Sequence, residues 1–190
     1  MSDFEFIFVL YALVLGLSLV ELLAGFGRTL ENEFESDADG TRFRFGWLTP
    51  LLGAFVLLDL LSFWMFAWTI QSLITVSPSA LLGVMIFAAS YYLAARLVFP
   101  TRPELFEDLD THYYRVRRTV MGILIALVFA QWAFLYSVEE VRAAVFTPMT
   151  LGLTAMLIGM MAATMIVKNR HFQAVLLVAL CVRYLVIYLL

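Results

Sequence analysis

Apolar residues gather into six long runs separated by short polar breaks, at about 4–27, 48–76, 79–99, 119–138, 147–167 and 171–190. Each is close to or longer than the roughly 20 helical residues that cross a ~30 Å hydrocarbon core. A lipid interior offers the backbone no partner outside its own segment, and these runs are too long and too few for a closed barrel. The pattern therefore predicts an all-α, six-helix transmembrane bundle occupying 1–190 as one domain. Three starts carry the same punctuation, Thr49-Pro50, Ser77-Pro78 and Thr147-Pro148. In each, a hydroxyl suited to the N-cap precedes a proline suited to the first helical turn.

The polar breaks differ in character. The first holds Glu31, Glu33, Glu35, Asp37 and Asp39 ahead of Arg42 and Arg44. Asp37-Ala38-Asp39-Gly40 matches only the opening of a calcium loop, so a solvated loop is expected and no metal site. The third break can begin a short amphipathic helix at Pro103, running to about residue 116. Leu105, Phe106, Leu109, Tyr113 and Val116 then share one side, with Glu104, Glu107, Asp108 and Arg115 on the other. Such a helix lies in the headgroup plane, where Arg115, Arg117 and Arg118 either meet anionic lipid or simply fix topology. His112 is read as a polar residue of the same interface.

Lysine and arginine concentrate in the first, third and fifth connections: Arg28, Arg42 and Arg44; Arg96, Arg102, Arg115, Arg117 and Arg118; Lys168 and Arg170. The second connection has none and the fourth only Arg142. The positive-inside rule places the arginine-rich connections in the cytoplasm and both termini outside. The N-terminal run is acidic at its start and longer than a signal-peptide core, so it is expected to be a span. Trp47, Tyr91 and Tyr92 then fall toward the inner interface, and Trp68, Trp132, Tyr136, Tyr184 and Tyr188 toward the outer one.

Composition agrees with the pattern: 63% of residues are hydrophobic and 14% charged, against about half and a quarter in soluble domains. A net charge of −3 without a basic tail gives no reason to expect a nucleic-acid partner. The single cysteine, Cys181, can form no internal disulfide and is no metal site.

Candidate chemistry is confined to polar groups within the runs. Asp59, Gln131 and Arg183 fall at similar depths, roughly 14 to 18 Å from the arginine-rich side at 1.5 Å per residue. A charge-assisted cluster joining the second, fourth and sixth spans is expected, since pairing offsets the cost of a lone intramembrane charge. Arg183 snorkelling outward, a neutral Asp59, or a proton or ion site at Asp59 remain as alternatives. A second polar level comprises Glu21 and Arg28 on one face of the first span with Tyr91, Tyr92 and Arg96 of the third. In the fifth span Ala155, Gly159 and Ala163 recur every four residues as a helix-packing face. Its methionines are read as packing rather than copper ligands, because no His or Cys accompanies them. No hydrolase elbow, zinc-protease or phosphate-loop motif occurs, so no catalytic residue, metal or cofactor is expected.

Three stretches, YALVLGLSLVELLAGFGR, GWLTPLLGAFVLLDLLSFW and YYLAARLVFP with DLDTHYYRVRR, resemble a group of small multi-spanning bacterial inner-membrane proteins of unknown activity. The resemblance implies a bacterial inner membrane and groups Glu21, Asp59 and the Tyr-Arg cluster in one shared pattern. It implies no activity. The functional expectation is a non-enzymatic membrane protein: a scaffold, a packing partner or a small sensor, with the bilayer, anionic lipid, a second copy or another membrane protein as its partners. The rival is a small proton or cation transporter or channel using Asp59 or Glu21.

Overall fold

In the computed structural model, which describes residues 3–39, 44–73 and 76–189, the apolar runs become helices. These are α1 (Asp3–Asp39), α2 (Leu48–Thr69), α3 (Pro78–Val98), α4 (Leu109–Ser137), the short α5 (Glu139–Val145), α6 (Pro148–Ile166) and α7 (Arg170–Leu189). Among the described residues, six helices, all but α5, are long and apolar enough to cross a membrane. The protein is an all-α, six-helix, multi-pass membrane bundle. Its outer surface fits that solvent: Val9, Leu13 and Val20 of α1 are 63%, 62% and 60% exposed, a lipid-facing row that a soluble monomer would bury.

The α2 run is apolar on all sides because α1, α3, α4 and α7 pack against it and lipid meets the remaining stripe, where Ala54, Leu61, Met65 and Trp68 are exposed. Leu52, Phe55, Val56 and Leu60 of α2 are fully buried, with Leu15 of α1, Tyr91 of α3 and Leu177 of α7 around them. One aromatic ring fixes how closely α1, α2 and α3 approach. Phe99, just past the end of α3, sits in a notch whose floor is Gly25 of α1 and Gly53 of α2. A Cβ at either glycine would lie 2.6 Å and 2.8 Å, respectively, from Phe99 atoms.

The helices alternate in direction, so Arg28, Arg96, Arg117 and Arg170 share one end of the bundle, called here the arginine end. Several expectations need correction there. Residues 28–39 are not a loop: α1 continues through them to Asp39. No proline or glycine interrupts this stretch between Gly27 and Asp39, and Leu30, Glu31, Glu33 and Glu35 are sound helix formers. The side chains of Asp37 and Asp39, and Arg42 entirely, lie outside the described residues. The amphipathic helix over 103–116 does not form as one piece. Pro103–Leu105 is a 3₁₀ turn, and α4 starts at Leu109 after Asp108 accepts the Asp110 N–H at 2.8 Å. The break at residues 106–108 is held by a short bridge, in which the Arg44 N–H donates to the Glu107 carbonyl and Leu109 N–H to the Arg44 carbonyl. Leu109 and Tyr113 are consequently buried inside the bundle rather than laid on a membrane surface.

Ser77 and Thr147 cap α3 and α6 as expected, Thr147 through a reciprocal pair with Thr150. At α2 the cap is different. Trp47 occupies the N-cap without a side-chain bond, Asp110 of α4 accepts the Leu48 N–H at 3.0 Å, and Thr49 instead donates to the Leu109 carbonyl at 3.0 Å. The α6 stripe is also reassigned. Ala155 and Gly159 are exposed and a Cβ on Gly159 would meet nothing within 4 Å, whereas Leu157, Met161 and Thr164 make the inward face. Ala155, Gly159 and Ala163 therefore do not form a packing face within the bundle.

Candidate functional site

Asp59 lies in the middle of α2 at 1% exposure. A carboxylate so placed must be hydrogen-bonded, since lipid and apolar side chains replace none of its water contacts. Two tyrosines supply the bonds. Tyr184 of α7 donates to Oδ1 at 2.5 Å, and Tyr91 of α3 donates to Oδ2 at 3.3 Å and to the Val56 carbonyl at 2.6 Å. Two further tyrosines bind the same stretch of α2: Tyr188 donates to the Leu58 carbonyl at 2.9 Å, and Tyr11 of α1 to the Phe63 carbonyl at 3.1 Å. Four phenol hydroxyls from three helices thus converge on residues 56–63 of the central helix. Interhelical bonds of this kind join transmembrane helices where the hydrophobic effect cannot.

The expected Asp59–Gln131–Arg183 cluster is not formed. Arg183 makes no ion pair with Asp59 within 4.0 Å; its guanidinium lies over the Tyr184 ring, 5.0 Å from the centroid, and among the described residues its Nε has no hydrogen-bond partner. It acts on the carboxylate only through space and through the tyrosine it covers. Gln131 lines a separate cavity toward the other end of the bundle. The physical reason is angular: similar depth along three helices does not bring three side chains onto facing sides, and the tyrosines occupy the sides that face Asp59.

At the second polar level, Glu21 and Arg96 form an ion pair, with Arg96 Nη1 2.9 Å from Glu21 Oε2 and Tyr92 hydroxyl 3.5 Å from Oε1. Arg96 also donates to Thr101 at 3.4 Å. Tyr91 is not part of this level, since its hydroxyl belongs to the Asp59 site, and among the described residues Arg28 joins no ion pair and its Nε lacks a partner.

The arginines assigned to lipid headgroups divide. Arg117 is 4% exposed and faces inward, donating to the carbonyls of Thr164 and Val167 at 2.8 and 2.5 Å. It therefore does not contact headgroups; it caps the C-terminus of α6, where four carbonyls lack helical partners. Gln173 of α7 bonds the same two carbonyls at 2.8 and 2.6 Å and accepts from Tyr113 at 2.5 Å. Arg118 donates to the Met165 carbonyl at 3.1 Å from an exposed position, while Arg115 is exposed and stacks over Phe106 at 5.5 Å. His112 is turned inward as well, with Nε2 3.2 Å from the Leu97 carbonyl.

Beside this network, Asp110 receives Arg170 of α7 at 2.5 Å as well as the Leu48 N–H, so one carboxylate ties together the starts of α2, α4 and α7. Gly46 permits it: its φ is +56°, and a side chain there would collide with the Asp110 carboxylate. Nothing in the sequence singled out Tyr11, Asp110 or Gln173, and Tyr184, expected at the outer interface, is instead a buried partner of Asp59. A usable signal existed for α7, where Leu177, Cys181, Tyr184 and Tyr188 recur at helical spacing on one face.

Chemically the arrangement offers hydrogen-bonded and ion-paired groups, and no nucleophile next to a base. Among the described residues no cluster of three or more His, Cys, Asp or Glu side chains is placed to hold a metal ion. Compared with protein-family models, curated proteins and solved structures, the chain finds no match.

Proposed function

We propose that this chain is a non-enzymatic scaffold of a bacterial inner membrane, with the arginine end in the cytoplasm, both termini outside, and Asp59 serving as a latch between helices rather than as an ion carrier. One observation carries the proposal: both Asp59 oxygens accept phenol hydroxyls in a site only 1% exposed. A carrier must load and release its ion, and such a site would first have to break two interhelical bonds. Glu21, the carboxylate of the second polar level, is held by Arg96. The scaffold reading also has an outer surface to work with. α6 is the least buried of the six spans, and its Ala155–Gly159 stripe, unused within the bundle, allows close approach of a helix from a second copy or another membrane protein.

Proton and cation flux into proteoliposomes tests the proposal. The native protein and Asp59→Asn are expected to be as tight as protein-free vesicles. Flux through the native protein that Asp59→Asn abolishes, at equal protein incorporation, would overturn it.

A further inference from the structure

The end of the bundle opposite the arginine end contains a cavity of about 430 Å³ between α1, α2, α3 and α4. That is within the ~300–1,000 Å³ range of sites that take small organic ligands. Phe8, Tyr11, Phe66, Phe87 and Phe134 give it an aromatic wall, and among the described residues no charged side chain lines it. Among the described residues around it, one polar side chain stands without any partner. Tyr11 donates to Phe63, and Ser77 accepts the Ala80 N–H while sharing a bond with Ser79. The Gln131 carboxamide lines the same cavity, and among the described residues it takes part in no hydrogen bond. An amide in an apolar span is costly unless something satisfies it.

We infer that this cavity binds a neutral lipophile carrying a conjugated or aromatic ring and a carbonyl, drawn from the bilayer, with the carbonyl accepting from Gln131 Nε2. Each part of the ligand follows from the lining. The absence of charged side chains disfavours an ionised ligand, whose desolvation nothing would offset. The rings favour edge-to-face or offset contact with a flat π-system over an alkyl chain. The unpartnered Gln131 amide calls for a hydrogen-bonding atom on the ligand. Gly83 of α3 borders the space, and a Cβ there would meet nothing within 4 Å, so the cavity can be filled from that position without disturbing helix packing. This site is distinct from Asp59 and does not depend on the role given to it.

The test uses benzophenone, a neutral diaryl ketone that inserts into nearby C–H bonds on illumination, with the protein in nanodiscs and the labelled peptides mapped by mass spectrometry. Saturable labelling is expected in Phe4–Tyr11 and Ala130–Phe134. Diphenylmethane, which has the same rings without the carbonyl, should compete roughly 3- to 10-fold less well than unlabelled benzophenone, the worth of one neutral hydrogen bond. Gln131→Leu should erase that difference between the competitors. Gly83→Phe should abolish cavity labelling while leaving the helical circular dichroism unchanged. Labelling that does not saturate and spreads over lipid-facing residues such as Val9 and Leu13 would overturn the inference, as would equal competition by both compounds in the native protein. The competition needs no variant, so it decides the matter even where a substitution prevents folding.

Discussion

The most informative perturbation is Tyr184→Phe, which removes one oxygen and leaves the ring packing intact. Tyr184 is 4% exposed and donates to Asp59 Oδ1, an oxygen for which no other donor is present among the described residues. Neutral interhelical hydrogen bonds in membranes are worth only about 0.6 kcal/mol on average. A bond to an ionised group contributes about 1.5–3 kcal/mol, and an acceptor left buried without a partner loses its desolvation energy as well. Tyr184→Phe is therefore expected to destabilise the bundle by about 2 kcal/mol. Tyr91→Phe should cost less, about 1 kcal/mol, because the Tyr91 hydroxyl is nearer the Val56 carbonyl at 2.6 Å than Asp59 at 3.3 Å and mainly makes a neutral bond. Asp59→Asn keeps an oxygen for Tyr184 and can turn its amide toward the Tyr91 oxygen, so it should be tolerated. In that background Tyr184→Phe should lose about half of its effect, since the charge assistance is gone. Equilibrium unfolding in mixed detergent micelles measures all four variants against the native protein. Additive effects of Asp59→Asn and Tyr184→Phe, or a larger loss from Tyr91→Phe than from Tyr184→Phe, would refute the reasoning.

Other consequences can be checked by the same unfolding measurement. Gly25→Ala should destabilise by roughly 1–3 kcal/mol through overpacking against Phe99, and Phe99→Leu in that background should recover part of the loss by opening the notch. Arg117→Met should cost only about 1–2 kcal/mol while Gln173 still serves the Thr164 and Val167 carbonyls; Arg117→Met with Gln173→Leu should cost more than the sum, because the carbonyls are then left bare. Gly46→Ala should destabilise by about 2 kcal/mol or more, from the left-handed backbone and the displaced Asp110 carboxylate together, with proteolysis near residues 44–49 rising in parallel.

The spans were legible because a single constraint, that a lipid-embedded backbone must satisfy itself, writes long apolar runs into the chain. Helix starts at Ser77 and Thr147 were legible for a local reason, a hydroxyl acting within one turn. The α2 start was not, since its cap comes from Asp110, 62 residues away. The extension of α1 to Asp39 was hidden because acidic composition resembles a loop, although nothing in it breaks a helix. Asp59 was readable as a carboxylate that needs partners, but their identity was not. Depth follows from counting residues, whereas the side of the helix that faces a neighbour follows from packing, and packing brought Tyr184 and Tyr91 to Asp59 and took Gln131 elsewhere. The α6 stripe illustrates the same limit: small residues permit close approach without saying whether the neighbour is in the same chain. Arg117 shows it at the surface, where a topology-setting arginine is also an internal helix cap.

Whether Asp59 is sealed and hydrogen-bonded, as a latch must be, is most directly tested by its reactivity. Dicyclohexylcarbodiimide enters the bilayer and modifies intramembrane carboxyl groups that it can reach and that take up a proton. With the native protein in liposomes, mass spectrometry is expected to find Asp59 unmodified, and modified once Tyr184→Phe and Tyr91→Phe are combined. Rapid modification of Asp59 in the native protein would show a carboxyl group open to exchange and would contradict the latch.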